Sequence, residues 1–146
     1  MKLEFTTSPV VADWVARRVE GLENRDDFGP SSCLGIGRNG VAVAGVVYSM
    51  YRKEKYGSSV WLTIAAKQGV PWAQPEVLRQ IFHYPFVELG CTRVGALIKE
   101  GNTKSIKLCT RVGFRKEGVL RRGWDGKSNA LVYGLLRHEC GYLNHG

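Results

Sequence analysis

Two short stretches of the 146-residue chain carry residue types and spacings that could hold or transform a small molecule. The first is Lys67-Gln68-Gly69-Val70-Pro71-Trp72-Ala73-Gln74, a loop set between a predicted strand and the start of a predicted helix. A helix N-terminus presents unpaired N–H groups and the positive end of the helix dipole, so a loop feeding one can cradle a phosphate. Gly69 supplies backbone freedom there, and Pro71 and Pro75 hold the shape. The loop is neither a GxxxxGK[ST] phosphate loop nor a GxGxxG dinucleotide turn. The second stretch is Asn102-x-x-Ser105, followed by Gly113-Phe114 and Glu117-Gly118. An Asn side chain offers both a carbonyl and an NH2 to an amide-bearing ligand, and a helix-start Ser can donate a hydrogen bond or a proton. Plain helix capping accounts for the same two residues. The four cysteines, at 33, 91, 109 and 140, stand apart, with no CxxC. His138 and Cys140 have no second pair near them, so no metal site is expected. Free cysteines of this kind read as small buried hydrophobes in a reducing compartment.

The elements that must position these residues follow from periodicity. Ser8 and Pro9 read as the N-cap and first residue of a helix, with Val11, Trp14, Val15, Arg18 (by its stem), Val19 and Leu22 facing inward. Residues 24 to 32 form a polar loop holding Gly29-Pro30. Strands are predicted over 32–38, 41–51 and 59–65. Asn39-Gly40 is a strong hairpin signal, and 52–57 is the second turn. Pro75 opens a second helix, which Pro85 should kink or split near Tyr84. Residues 92–98 form a strand parallel to its neighbour across that helix. Asn102 or Thr103 caps a short helix over 104–112 that buries Ile106, Cys109 and Val112, with Gly113 as its left-handed terminator. Residues 115–124 and 130–137 form a last hairpin around Asp125-Gly126. The order is helix, three strands, helix, strand, helix, two strands. That is a mixed α/β (α+β) sheet in one domain over residues 1–146.

Composition sets the outer bounds. At 146 residues, 44% hydrophobic and 23% charged, the chain is an ordinary globular length and mix, not a disordered or collagen-like one. Its longest apolar run, from Val41 to Tyr48, is far short of the roughly 20 residues that span a bilayer. The first residues lack the apolar core of a signal peptide. A cytoplasmic protein with no membrane partner is expected. The formal net charge is +8, and residues 99–122 hold eight Lys or Arg against two Glu. Such a cluster suits nucleic acid, an acidic peptide, a phosphorylated cofactor or merely solvent.

The stretch from Asn102 to Arg121 resembles the C-terminal half of the GNAT acyl-CoA N-acyltransferases, and within them the ribosomal-protein N-acetyltransferase branch. Members of that branch show Asn-x-x-Ser, Gly-Phe and Glu-Gly before a last strand bearing a Tyr, here Tyr133. The resemblance implies a GNAT-like sheet with antiparallel N-terminal strands, a splayed central parallel pair and a C-terminal hairpin. It implies an enzyme that moves an acetyl group from acetyl-CoA to a primary amine of a protein or small molecule by direct attack, without a metal. It assigns the cofactor to Ile64, Ala65, Ala66, Lys67, Gly69, Trp72, Ala73 and Gln74 together with Asn102 and Ser105. Ser105 is then a general acid for the leaving thiolate, and Cys109, one turn later, a weaker candidate. Two positions depart from the family: the phosphate loop reads Pro71-Trp72-Ala73-Gln74, and Cys109 stands where many members have Tyr. A strand-end N–H near Ile64 or Ala65 could face the oxyanion. Glu54, Glu100 and Asp125 are candidate bases, none singled out by its context. Tyr48, Tyr51, Trp61, Trp72 and Trp124 are the aromatics available to an acceptor cleft. The competing readings are a basic RNA- or nucleoprotein-binding module and a catalytically inactive CoA-binding domain. The nucleic-acid motifs of known modules are absent, so nucleic acid is not the expected partner. Monomer and homodimer both remain open.

Overall fold

The computed structural model describes residues 3–143, whose contacts gather into two compact units. The first comprises Met1–Tyr51 and Leu62–Ile81. Its strands are β1 (Leu3–Thr6), β2 (Ser31–Arg38), β3 (Val41–Glu54) and the second half of β4 (Gly57–Ala66), adjacent in that order. β1 and β2, and β2 and β3, pair antiparallel. Asn39 and Gly40 both take left-handed backbone, φ 52° and 76°, as the hairpin signal predicts. Helix α1 (Val10–Ala16) lies close on this sheet because Gly35 and Gly45 leave room. A Cβ at Gly45 would stand 2.7 Å from a Val15 methyl. The core beneath gathers Ala12, Val15, Cys33, Val47 and Ala65, with Val11, Trp14, Val19 and Phe28 packed around it. On α2 (Pro75–His83), the Ile81 carbonyl accepts a 2.6 Å hydrogen bond from the buried Tyr48 hydroxyl.

Several expectations need correction in this unit. β1 was not anticipated, since four alternating residues carry little pattern of their own and become a strand only by pairing with β2. α1 ends at Ala16 rather than near Leu22. The chain then turns through tighter bonds, Arg18 N–H to Val15 and Val19 N–H to Ala16, before Gly21 at φ 89°. Its N-cap position is Pro9, not Ser8, and no side chain caps it. Arg18 does not bury its stem: its guanidinium stacks 3.6 Å from the Trp14 ring centroid and bonds the Trp14 carbonyl. Within the polar loop, Arg25–Phe28 forms a 3₁₀ turn capped by Asn24.

The second unit comprises Arg52–Trp61 and Phe82–Gly146. The first half of β4 lies beside β5 (Cys91–Lys99), followed by β7 (Ala130–Leu136) and β6 (Arg115–Leu120). β4 and β5 are parallel, the geometry a strand–helix–strand unit requires. β5 pairs antiparallel with β7, and β7 with β6. At Tyr84 the helix passes into a π-helical turn, Tyr84–Glu88, where Pro85 withdraws an N–H. Phe82 packs on Phe86 and meets Phe114 edge-on at 6.0 Å. The predicted turn over 52–57 shrinks to Lys55-Tyr56, because β3 continues to Glu54. β6 stops at Leu120 rather than Trp124, since 121–129 form a loop with bonds of its own. Helix α3 (Thr103–Val112) buries Val112 and half-buries Ile106 and Cys109, and Gly113 ends it at φ 123°.

Candidate functional site

In the first unit, β4 delivers Ile64, Ala65 and Ala66 to its C-terminal end, and the chain then crosses 67–74 to α2. Ala65 is buried in the core, while Ile64 and Ala66 are half-buried. The Lys67 N–H is already bonded to the Val43 carbonyl at 2.8 Å, and the Gln74 N–H to the Trp72 carbonyl at 2.9 Å. Among the described residues no backbone carbonyl takes the N–H groups of Gly69 or Trp72. Gly69 holds a left-handed φ of 77°, which turns the loop sharply. The Leu78 N–H closes the first helical turn on the Gln74 carbonyl. Pro75 has no N–H to satisfy, so the first-turn donors of α2 are those of Glu76 and Val77. N–H groups without a backbone partner therefore lie in the loop and first turn at a helix N-terminus, an arrangement suited to phosphate oxygens. Trp72 and Ala73 are half-buried in the same loop.

In the second unit, β5 runs into a turn at Glu100-Gly101, and Asn102 caps α3. Its Oδ1 accepts the Ser105 N–H at 3.3 Å. That is the capping role, but it uses only the carbonyl. No hydrogen bond occupies the Asn102 NH2 or the half-buried Ser105 hydroxyl among the described residues. The cap is thus made by Asn102 alone, and the Ser105 side chain is not part of it. Burial pushes the Cys109 thiol up to about 11. Cys33, Cys91 and Cys140 are raised by burial as well. A thiol of that kind stays protonated at neutral pH and is a poor acid.

The carboxylates separate by environment. The Asp125 carboxylate accepts the N–H groups of Ser128 (2.6 Å) and Lys127 (2.9 Å), and these bonds hold it below its ordinary value. It is a turn-builder and a weak base. Glu54 pairs with Arg52 at 3.3 Å on an exposed hairpin. Glu100 lies exposed in the turn before α3, so no carboxylate is singled out as base. Glu117, of the Glu-Gly motif, makes a two-pronged pair with Arg93 at 2.8 and 2.5 Å. The pair spans β7 over Gly134, where any Cβ would overlap the carboxylate. Sequence inspection missed Arg93, because its partner lies 24 residues away and only strand order joins them. Of the aromatics, Tyr48 is buried and structural, whereas Trp61 lies flat against Gly95. The Trp124 indole N–H is buried without a partner among the described residues, and Tyr51 is half-exposed.

If Asn102 serves both cap and ligand, two substitutions separate the roles. Asn102→Ala should cost about 0.5–2 kcal/mol of stability, whereas Asn102→Ser keeps the cap. Both should weaken acetyl-CoA binding by an amount on the order of 1–3 kcal/mol, the cost of an unpaired buried amide. Calorimetric affinity alongside thermal unfolding decides this, and unchanged affinity in both variants would leave Asn102 only a cap.

No family model matches the chain. It is 43% identical over 47 residues to an uncharacterized N-acetyltransferase, YoaA, of Bacillus subtilis, a match covering 32% of this chain and 27% of that protein. Across the curated relatives it matches, the chain spans between 27% and 41% of their length. Among solved structures, the ribosomal-protein-S18-alanine N-acetyltransferase of Escherichia coli superposes with a TM-score of 0.66 at 15% identity, covering 92% of this chain and 94% of that one. The spermidine/spermine N-acetyltransferase SpeG of Vibrio cholerae, in mutant form, superposes at 0.72 with 13% identity over 97% of each chain. The strand–loop–helix unit, the parallel β4–β5 pair and the closing β6–β7 hairpin are therefore those of a GNAT N-acetyltransferase fold, the superfamily that the Asn102–Arg121 stretch resembles.

Proposed function

We propose that the chain is an N-acetyltransferase that moves the acetyl group of acetyl-CoA onto a primary amine, acting as one domain over residues 1–146. The observation that supports this most is the set of unbonded amides at Gly69 and Trp72 beside the start of α2. These donors fit the phosphates of a CoA ester without a Walker-type loop. The degenerate Pro71-Trp72-Ala73-Gln74 segment keeps one such donor, the Trp72 N–H, and Gly69 adds another, whereas the N–H groups of Lys67 and Gln74 are already committed. Acetyl-CoA supplies an acyl carbon activated as a thioester. The residues of the chain have three tasks: to orient the amine and ester, to polarise the carbonyl and to handle protons. Ile64 or Ala65 is assigned the carbonyl, through a strand-end N–H. Ser105 is assigned the leaving thiolate and Asn102 the amides of the pantetheine arm, as the resemblance implies. No metal is invoked. Buried free thiols fit a reducing compartment, which supports a cytoplasmic location. No helix among the described residues is long and apolar enough to cross a membrane.

Acetyl-CoA at 100 times its dissociation constant should stabilise the folded chain by about 2.7 kcal/mol, read as a rise in melting temperature. Thiol release with a panel of amines then tests turnover. No shift with acetyl-CoA removes the cofactor, and with it the enzyme. A shift without thiol release for any amine favours the inactive CoA-binding reading.

A further inference from the structure

The charge of the chain is not shared between its two units. The first unit has seven basic and seven acidic residues, and the second has fourteen and six, so the whole net charge of +8 sits on the second. Part of that excess is concentrated on the hairpin Arg52–Gly57. Arg52, Lys53, Glu54, Lys55 and Tyr56 are all exposed, and Tyr56 is 87% exposed. Among the described residues, only Arg52 has an acidic partner there, Glu54. The Lys55 ammonium stands 5.3 Å from the centroid of the Tyr56 ring, which leaves the opposite ring face to solvent.

Turn chemistry does not ask for these residues. Tight hairpin turns favour Asn, Asp, Gly or Pro, and here the tip is Lys55-Tyr56. The permissive residue comes next, at Gly57 with φ 152°, where a Cβ would also run into Thr92. A large aromatic ring at the tip gains nothing from the core. Local choices that serve neither fold nor solubility are expected where a surface has a partner.

We propose that this hairpin binds single-stranded nucleic acid, with Tyr56 as a stacking platform for a base and Arg52, Lys53 and Lys55 as phosphate contacts. An aromatic face beside Lys53 and Lys55, which have no acidic partner among the described residues, suits that ligand better than an acidic peptide, which has charge but no base to stack. This departs from the sequence expectation, which rested on missing motifs rather than on the surface. It is independent of acetyl transfer.

The test is fluorescence anisotropy of a labelled 12-nucleotide single-stranded RNA of mixed sequence, with the full chain, across a salt series. Three phosphate contacts predict a log–log salt slope of about −2, from roughly −0.7 per phosphate on a single strand. Tyr56→Ala should weaken binding roughly tenfold at unchanged slope, within the range of one base–aromatic stack. Tyr56→Phe should bind within about twofold of the parent for the same reason. Lys53→Ala with Lys55→Ala should flatten the slope by about 1.4. Melting curves of each variant show that it is folded. No binding at low salt, or binding that Tyr56→Ala leaves intact, overturns the proposal. Displacement by poly-glutamate at equal charge concentration overturns it in favour of an acidic protein partner.

Discussion

Gly113→Ala should be the most destabilising single substitution at a glycine of this protein, by about 3 kcal/mol or more. Two costs add. Gly113 sits at φ 123°, a backbone conformation that an L-residue enters at a cost of about 1–2 kcal/mol. A Cβ there would also overlap the Glu139 carbonyl oxygen, and backbone cannot give way as a side-chain end can. Glu139 is pinned from both sides, since its carboxylate accepts the Leu136 N–H at 2.9 Å and pairs with Arg115 at 2.9 Å. Moreover, the Gly113 N–H closes α3 on Cys109 and Thr110, so a shift would unravel the end of that helix. Losses of this size come from strain combined with clash. At about 2–4 °C per kcal/mol for a chain near this length, the melting temperature should fall by roughly 10 °C. Gly90→Ala is the control. Gly90 has a left-handed φ of 68° but nothing within 4 Å of a would-be Cβ, so it should incur only the conformational cost. Equal losses at both positions would refute the clash argument.

Ser105→Ala should lower kcat about 100-fold while acetyl-CoA affinity stays within a few-fold, the low end of general-acid effects. The structure sharpens this expectation in two respects. Because the Ser105 hydroxyl has no hydrogen-bond partner among the described residues, its removal should cost little stability. Loss of turnover and loss of fold are then separable in one variant. Cys109→Ala should do much less. Its thiol, pushed up to about 11 by burial, is a weaker acid than a free-thiol leaving group near 8.5. Proton transfer from it would run uphill by roughly 3 kcal/mol, at 1.36 kcal/mol per pKa unit. The same burial makes Cys109 pH-sensitive in a defined direction. Its folded value lies above the unfolded one, so its contribution is intact below about 9 and is lost as pH rises toward 11. Parental turnover in Ser105→Ala would end the acid role, and a collapse of melting temperature with normal turnover would return Ser105 to the helix start.

Much of the fold was legible because short-range chemistry decided it. Asn39-Gly40 specifies its hairpin, since only residues at ease in left-handed backbone match the twist of the strands. Pro85 forces the break at Tyr84 by removing an N–H. Asn102 and Gly113 bound α3 because the orphan groups of a helix end need such partners. The helical spacing of Ile106, Cys109 and Val112 likewise reveals which side of α3 faces inward. Those features depend on neighbours within four or five residues, and a sequence displays them directly.

Other features depend on what lies across space. β1 is a strand only because β2 is beside it. The Glu117 carboxylate of the Glu-Gly motif could be seen in the chain, but not its Arg93 partner, nor Gly134 as the floor beneath both. Spacing alone pointed to Asn102 as a cap before a ligand, and the tertiary structure showed that its carbonyl is used while its NH2 is not. Loop 67–74 could be read as a phosphate cradle despite its departure from the family pattern, but backbone amides carry no sequence signature, and only the bonds made by Lys67 and Gln74 reveal which others are left over. By itself, then, the sequence determined the elements and the residue types offered to a site. The tertiary structure alone decided which donors were already spent and which remained, because hydrogen bonds between distant segments are formed only when the chain has folded.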